Sequence, residues 1–286
     1  MTIKAESFQF EDYAYGMRKS GFGHALLSPA SDLDAYPGVC GFIDDRGDWQ
    51  RIVDVTKPQE LKAFGLSPFV GRTWEKRRES SKWGPRITET VSRVAISTSA
   101  ATQANIPATF SSAHRYELKG EFGAILLCND PVEKRSFGLK DPFSTWANKN
   151  AKDLLRRFPD IKKSGGFYVI TSTITARDIR ITTWTTKGTS VVIGASAEID
   201  NVAKIDASTE FYVGETATEW HEPQVEYFQE GEKKVLFFGG VYIKYSRLWP
   251  LREKDQKKWS GYRGSDDGKV MIEEDNYAWD VEACQI

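Results

Sequence analysis

The stretch FYVITSTITARDIRITTWTTKGTSVVIGASA, residues 167–197, decides the fold class of this protein. In its first half, Thr171, Thr173 and Thr175 alternate with mostly aliphatic residues. A period of two is typical of a β-strand, in which successive side chains point to opposite faces. Each arm of the stretch runs for roughly 10 to 18 residues, whereas five or six is usual in globular proteins. The stretch therefore predicts long strands.

Two breaks divide this stretch. Beyond Arg177 the apolar positions change phase, which predicts a bulge or a bend there. Lys187-Gly188 is a turn signal, and residues 190–197 then return as a second arm. We therefore expect a hairpin whose tip lies near Lys187-Gly188.

The other segments mix strands with helices. Residues 86–128 have a strand-like composition with a small, polar middle. The aspartates at 44–48 lie between two predicted strands, at 39–43 and 49–55, where aspartate is a common turn residue. A cation site is the alternative interpretation of these aspartates. Strands are predicted at 39–43, 49–55, 122–128 and 235–245, and helices at 58–64, 141–158 and 199–212.

The helix at 141–158 has the clearest pattern. Asp141 is placed to cap it, and Pro142 suits its first turn. Apolar residues fall on one face at helical spacing, and lysine and arginine residues fall on another. The sequence therefore predicts an amphipathic helix whose exposed face is basic.

The composition excludes several classes of protein. Of the 286 residues, 40% are hydrophobic and 28% are charged, which excludes a disordered chain, a collagen, a coiled coil and a disulfide scaffold. No apolar run reaches the ~18 residues of a transmembrane helix, and residues 1–10 lack the apolar core of a signal peptide. Because Cys40, Cys128 and Cys284 are its only cysteines, we expect a cytoplasmic, reduced protein.

No catalytic motif occurs in the sequence. His24, His114 and His221 lack the spacing of a zinc site. The nucleophile elbow, the P-loop and the dinucleotide-binding fingerprint are all missing from the sequence. We therefore predict that the protein is not an enzyme and needs no cofactor or metal.

The net charge of −1 conceals an acidic tail on a basic body. Residues 264–286 contain seven acidic residues and one basic residue, so residues 1–263 carry +5. A basic body is attracted to nucleic acid or to acidic lipid headgroups, although a solvating tail and solvated surface lysines would give the same composition. Two clusters of cations stand out, at Arg72, Lys76, Arg77, Arg78, Lys82 and Arg86, and at Lys149, Lys152, Arg156, Arg157, Lys162 and Lys163.

Several segments resemble the fungal gasdermin-like proteins in their order and spacing, over roughly residues 35–245. They are Trp83-Gly84-Pro85, residues 122–128, Trp146 with Asn150 and Leu154-Leu155, residues 166–173, 181–184, 191–195 and 235–240. The resemblance implies an α+β fold, with a twisted, mostly antiparallel β-sheet and surrounding helices. It also implies a cell-death effector that binds acidic phospholipids, forms homo-oligomers and extends hairpins through the plasma membrane as a pore.

On this resemblance, residues 1–248 form the pore-forming domain, and residues 249–286 form a short acidic tail that inhibits it until a protease removes the tail. The lipid-binding cations are Arg72, Lys76, Arg77, Arg78, Lys149, Lys152, Arg156, Arg157, Lys162 and Lys163. The inserting hairpins contain Val94, Ile96, Ile170, Ile174, Ile179, Ile181, Val191 and Ile193. The inhibitory tail contains Trp259, Tyr262, Asp266, Asp267, Glu273, Glu274 and Trp279.

Two other functions fit the same sequence. One is a soluble binding module of similar α+β fold, which recognises an anionic partner and never inserts into a membrane. The other is an enzyme without a recognisable motif. Salt-sensitive binding to lipid vesicles but not to DNA would favour the pore-forming protein, for which we expect no nucleic acid partner.

Overall fold

A computed structural model describes residues 3–110, 112–195, 211–213, 220, 231–247, 269–274 and 277–285. It confirms the predicted α+β class with mostly antiparallel sheets. The chain divides into two units. The first unit comprises residues 1–33, 78–134 and 174–237, and the second comprises residues 34–77, 135–173 and 238–286.

The described residues form five α-helices, one 3-10 helix and sixteen strands. The helices are α1 (Ile3–Gly16), the 3-10 helix Met17–Ser20, α2 (Pro58–Ala63), α3 (Thr98–Gln103), α4 (Asp141–Arg157) and α5 (Asp160–Lys163). The strands are β1 (His24–Ser31), β2 (Val39–Ile43), β3 (Trp49–Asp54), β4 (Glu79–Ser81), β5 (Arg86–Ile87), β6 (Val91–Ala95), β7 (Ser112–Leu118), β8 (Gly123–Cys128), β9 (Val132–Ser136), β10 (Gly166–Ala176), β11 (Ile179–Trp184), β12 (Ser190–Ala195), β13 (Phe211–Val213), β14 (Lys234–Arg247), β15 (Lys269–Glu274) and β16 (Tyr277–Gln285).

The second unit is a sheet covered by α4. Its strands follow the order β15-β16-β14-β10-β2-β3. Phe143 and Leu154 of α4 pack with Phe167 of β10 and Ile243 of β14 in one cluster of fully buried side chains. Burying each such side chain contributes roughly 1.5–3 kcal/mol. The apolar spacing of the helix at 141–158 therefore marks the face that holds α4 to the sheet.

Strand β10 is buried on both faces. Thr171, Thr173 and Thr175 are as inaccessible to solvent as Ile170 and Ile174. Threonine suits such a position because its methyl group packs while its hydroxyl finds a backbone partner. The threonines and the aliphatic residues that alternate in the sequence thus lie on opposite faces of β10, and both faces are buried.

The first unit contains two smaller sheets, with strand orders β11-β8-β5 and β13-β12-β7-β6. Strand β8 is completely buried and contributes to two separate cores. Leu126 packs in a cluster with Tyr13 of α1, whereas Ile125 packs in a cluster with Val191 and Ile193 of β12. The continuous apolar run at 122–128 is explained by this burial on both sides.

The predicted hairpin within residues 167–197 is wrong. The bend near Arg177 is present, but it ends β10 and takes the chain into a different sheet. Strand β11 pairs with β8, whereas β12 pairs with β7 and β13, so the arms on either side of Lys187-Gly188 are not neighbours. The alternation of residues predicts that a segment is a strand, but it does not identify the strand's partner.

Other predicted elements are mostly confirmed, with differences where local signals were weak. Helix α1 is absent from the predicted elements. A second helix that was not predicted, α3, occupies the polar middle of residues 86–128, where the Ser97 side chain caps it by accepting a hydrogen bond from the Ala100 N–H. Lys140, not Asp141, is the N-cap of α4. The helix predicted at 199–212 lies outside the described residues, except that Phe211–Val213 forms a strand.

The described part of the acidic tail forms a hairpin on the sheet of the second unit. Strand β16 pairs with β14 in antiparallel register, from Val241 opposite Gln285 to Arg247 opposite Trp279, and β15 pairs with β16. The tail therefore covers the backbone edge of β14. Of the predicted inhibitory residues, Glu273, Glu274 and Trp279 lie on these strands, and Trp259, Tyr262, Asp266 and Asp267 lie outside the described residues.

Residues 65–71 run along α4 in the opposite direction to the helix. The side-chain oxygen of Asn150 accepts a hydrogen bond from the Ser67 N–H (2.7 Å), and the Trp146 indole donates to the Ser67 carbonyl (2.9 Å). The amide group of Asn150 also donates to the Trp146 carbonyl at 2.9 Å. These bonds explain how a fully buried asparagine is tolerated on the apolar face of the helix.

Replacing Asn150 with alanine is expected to lower the free energy of unfolding by about 1–3 kcal/mol, because the half-buried Ser67 N–H loses its acceptor. Asn148→Ala on the same helix is the matched control, since the Asn148 side-chain oxygen has no hydrogen-bond partner among the described residues. That variant should lose less than about 0.5 kcal/mol. Urea unfolding measures both changes, and equal losses would contradict the role given to Asn150.

Candidate membrane interface

The exposed side of α4 carries four cations. Lys149, Lys152 and Arg156 are spaced by three and four residues, which places them on one side of the helix, away from the apolar side, and Arg157 follows them. All four side chains are exposed. We call these four residues the basic face. The structure thus confirms the basic exposed face predicted for this helix.

Ion pairs neutralise part of the predicted second cluster. Arg156 lies 2.7 Å from Asp153, and Lys163 lies 2.7 Å from Asp160. The hydrogen bond to Asp160 raises the pKa of the Lys163 ammonium group. Because both pairs are exposed to solvent, each contributes little to stability but reduces the local positive charge.

The first predicted cluster is divided between the two units. In the second unit it lies on an exposed loop, residues 68–77, which we call the basic loop. Gly71 packs against Pro142 at the start of α4, so closely that a Cβ atom on Gly71 would lie 2.6 Å from the Pro142 ring. Residues 71–77 are all exposed. Arg78, which follows this loop directly, belongs to the first unit.

Of the seven cations in the basic loop and the basic face, six lack a carboxylate partner among the described residues. This leaves a positive surface whose charge is not balanced locally, so that it attracts anions over about a Debye length. The six are Arg72, Lys76 and Arg77 of the basic loop, and Lys149, Lys152 and Arg157 of the basic face.

Exposed apolar side chains are interleaved with the cations of the basic loop. Val70, Arg72, Trp74 and Lys76 follow one another at every second position, with Val70 80% exposed and Trp74 50% exposed. Leu139 of the same unit is 43% exposed. The exposure of an isolated Val or Leu depends on packing that no local pattern in the sequence reveals. Exposed apolar groups beside cations suit the interface between lipid headgroups and acyl chains.

The cations are spread along the length of α4. The basic loop passes Pro142 at one end of the helix, and Arg157 lies beside Gly65 at the other end. At a rise of 1.5 Å per residue, about 22 Å separate these two ends. Such a spacing suits an extended anionic surface, because a single small anion contacts only groups within a few ångströms of it.

Most of the residues predicted to insert into a membrane are core residues in this structure. Val94 is an exception: it is 49% exposed on β6, the edge strand of its sheet. Ile96 is partly buried. The other six residues are at most 4% exposed, so that insertion would require them to leave their packed sites: Ile170, Ile174, Ile179, Ile181, Val191 and Ile193.

The acidic tail lies close to the helix that carries the basic face. Strand β16 runs beside α4 as well as along β14. Asp280 and Glu282 belong to β16, and Glu273 and Glu274 belong to β15. The backbone pairing of the tail therefore brings acidic residues into the neighbourhood of α4.

Neither a cluster of metal ligands nor an exposed thiol is found at the positions whose side chains are described. The described residues contain no group of three or more His, Cys, Asp or Glu side chains arranged to hold a metal ion, and no helix among them has the length and apolar character to cross a bilayer. Cys128 is buried, and burial raises the pKa of its thiol to about 12, so the reactive thiolate is scarce at neutral pH.

No protein-family model matches the chain, and no curated protein is significantly similar to it.

Reversing two unpaired charges, Lys152→Glu with Arg157→Glu, is expected to weaken binding to phosphatidylserine vesicles about 30-fold or more, because each cation near an anionic membrane contributes about 1 kcal/mol. Co-sedimentation with sucrose-loaded vesicles measures the change. The matched control is Lys119→Glu with Lys134→Glu in the first unit, where both lysines already pair with glutamates. An equal loss in the control would assign binding to net charge instead of the basic face.

Proposed function

We propose that this protein is a pore-forming effector of programmed cell death, which binds acidic phospholipids through the basic face and the basic loop. It then forms homo-oligomers and inserts strands into the plasma membrane. Before activation it resides in the cytoplasm with its tail in place, and a protease activates it by removing residues 249–286. The resemblance to fungal gasdermin-like proteins supports insertion and oligomerisation.

The main support for lipid binding is that unpaired cations and exposed apolar side chains occur together on the second unit. Nucleic acid would also attract the cations and would stack on Trp74. Val70 and Leu139, however, have no planar group for stacking, and they gain free energy when they leave water for a lipid layer. A lipid surface therefore engages both the cations and the exposed aliphatic side chains of this region, whereas nucleic acid does not engage the aliphatic ones.

The segment best suited to extension is the one formed by β6, α3 and β7. Strand β6 is an edge strand, and α3 has only six residues, fewer than the ~12 that an isolated helix needs to be stable. Ala101 and Ile106 attach the α3 region through a small cluster with Ala113 and Val192. Few buried contacts favour local opening. Once extended, residues 91–118 would supply two strands, each longer than the ~9–11 residues that cross a bilayer.

A non-inserting binding module is the second candidate, and one observation favours it. Six of the eight side chains predicted to insert are buried in the cores of the units. A module that binds an anionic surface without insertion keeps all of these side chains in place. The two candidates therefore differ in whether bound protein permeabilises the membrane.

A chain that ends at Trp249 is expected to release dye from phosphatidylserine liposomes faster than the full chain, because truncation exposes the β14 edge and removes acidic residues near α4. Val281→Pro in the full chain is a second test, since Val281 pairs with both Tyr245 and Val270 and proline disrupts such a strand. It should release dye nearly as fast as the truncated chain.

Liposomes of phosphatidylcholine alone are the lipid control for this experiment, and they should retain the dye. Equal release by the full and truncated chains would contradict restraint by the tail. Binding of the truncated chain without release would contradict pore formation and favour the binding module.

A disulfide between Phe110→Cys and Gly194→Cys is expected to block dye release by the truncated chain without weakening vesicle binding. A Cβ atom on Gly194 would lie 3.4 Å from the Cβ of Phe110, close to the usual separation in a disulfide, and 2.7 Å from a methyl group of Ile106, which must shift to admit it. The bond would tie the α3 region to β12 and so prevent its extension. Reduction with dithiothreitol restores release in the same sample, and release that persists in the oxidised protein would exclude this segment from insertion.

A further inference from the structure

The first unit contains an open pocket of about 420 Å³ that the basic face and the basic loop do not share. Its walls come from the 3-10 helix after α1, from β5 and from the start of β6. Lys19, Arg86 and Arg93 contribute three cations to the lining, and Glu89 contributes one carboxylate. Ser20 and Thr88 add hydroxyl groups. The lining is therefore positive overall and rich in hydrogen-bond donors.

Arg86 is the least satisfied of these groups. Its guanidinium lies 4.3 Å from the ring centroid of Trp83 and 5.3 Å from that of Phe22, and these two rings are themselves stacked. The side chain is half-buried, and its Nε atom is buried with no hydrogen-bond partner. Within the part of the chain that the structure describes, Arg86 has neither a carboxylate nor a hydrogen-bonding partner.

The buried Nε–H of Arg86 is unfavourable without an acceptor, because this group has left water and gains no hydrogen bond in return. The aromatic rings hold the cation in place through cation–π contact, but they do not replace an anionic acceptor. Burial lowers the pKa of Arg86, which is the direction expected for a cation that lacks a counter-charge. An anion in the pocket would supply both the charge and the acceptor atoms.

The charges of the lining indicate what kind of anion fits. Lys19, Arg86 and Arg93 bring three positive charges to the lining, and Glu89, 3.6 Å from Lys19, brings one negative charge, so the charges of the lining sum to +2. A phosphomonoester carries between one and two negative charges at neutral pH and has three terminal oxygens, which suit donors that converge from several walls. The volume accommodates a phosphate with a small group attached to it.

We propose that this pocket binds a phosphomonoester group, with Arg86 as its central ligand and with Lys19 and Arg93 at its sides. The group belongs either to a soluble metabolite or to the headgroup of phosphatidic acid. Because the pocket shares no residue with the basic face or the basic loop, either proposal can fail while the other stands.

Isothermal titration of the full chain with glycerol 3-phosphate, and co-sedimentation with vesicles that contain phosphatidic acid, test this site. Arg86→Met keeps the length of the side chain and removes its charge, and it should weaken binding at least tenfold. Arg177→Met is the matched control, because Arg177 is an exposed arginine of the same unit outside the pocket. It should leave the affinity within twofold of the wild type.

Lys19→Gln provides a second variant if Arg86→Met does not fold, because the Lys19 side chain is 68% exposed and its replacement leaves the core intact. It should weaken binding severalfold. Arg86-dependent binding of glycerol 3-phosphate would support the site with a soluble ligand, and Arg86-dependent binding to the vesicles alone would support it with a lipid headgroup. Failure of both probes to bind, or binding that is unchanged in the Arg86 and Lys19 variants, would overturn the proposal.

Discussion

The attachment of α4 to the second unit is the constraint on which the candidate interface depends. Its apolar side is buried against the sheet, which leaves Lys149 and Lys152 no direction but outward. Asn150 and Trp146 hold Ser67 from the same helix, and Ser67 begins the path that brings the basic loop past Pro142. Helix α4 thus orients the basic face through its own helical periodicity. It orients the basic loop through residues 65–71, which are hydrogen-bonded to the helix at Ser67.

The sequence predicts this helix well because its apolar and basic residues repeat at a helical period within one segment. It does not predict the contact with Ser67, because that hydrogen bond joins residues 83 positions apart and an asparagine gives no sign of its partner. The same limit explains the error at Lys187-Gly188, where alternation identified two strands correctly but not their partners. The sequence shows Arg86 only as one cation of a cluster. Its contact with the Trp83 ring and the missing acceptor for its Nε–H arise from tertiary packing, which the sequence does not reveal.

Charge and backbone pairing act together in the tail. Its acidic composition alone is equally consistent with a solvating extension, because seven carboxylates near the end of a chain need no partner. Pairing of residues 279–285 with β14 brings the backbone of two of the acidic residues, Asp280 and Glu282, close to α4, and it covers a strand edge that would otherwise be open. Removal of the tail would therefore change two properties at once: the electrostatic field around α4 and the availability of a strand edge for another copy of the chain.

The proposed function requires the activated chain to form discrete pores. Planar-bilayer recording with the chain that ends at Trp249, in membranes containing phosphatidylserine, tests this requirement. Discrete pores should give stepwise increases in current of uniform size that persist after unbound protein is washed away. A membrane that binds the protein and shows no current, or only irregular leakage without steps, would contradict it.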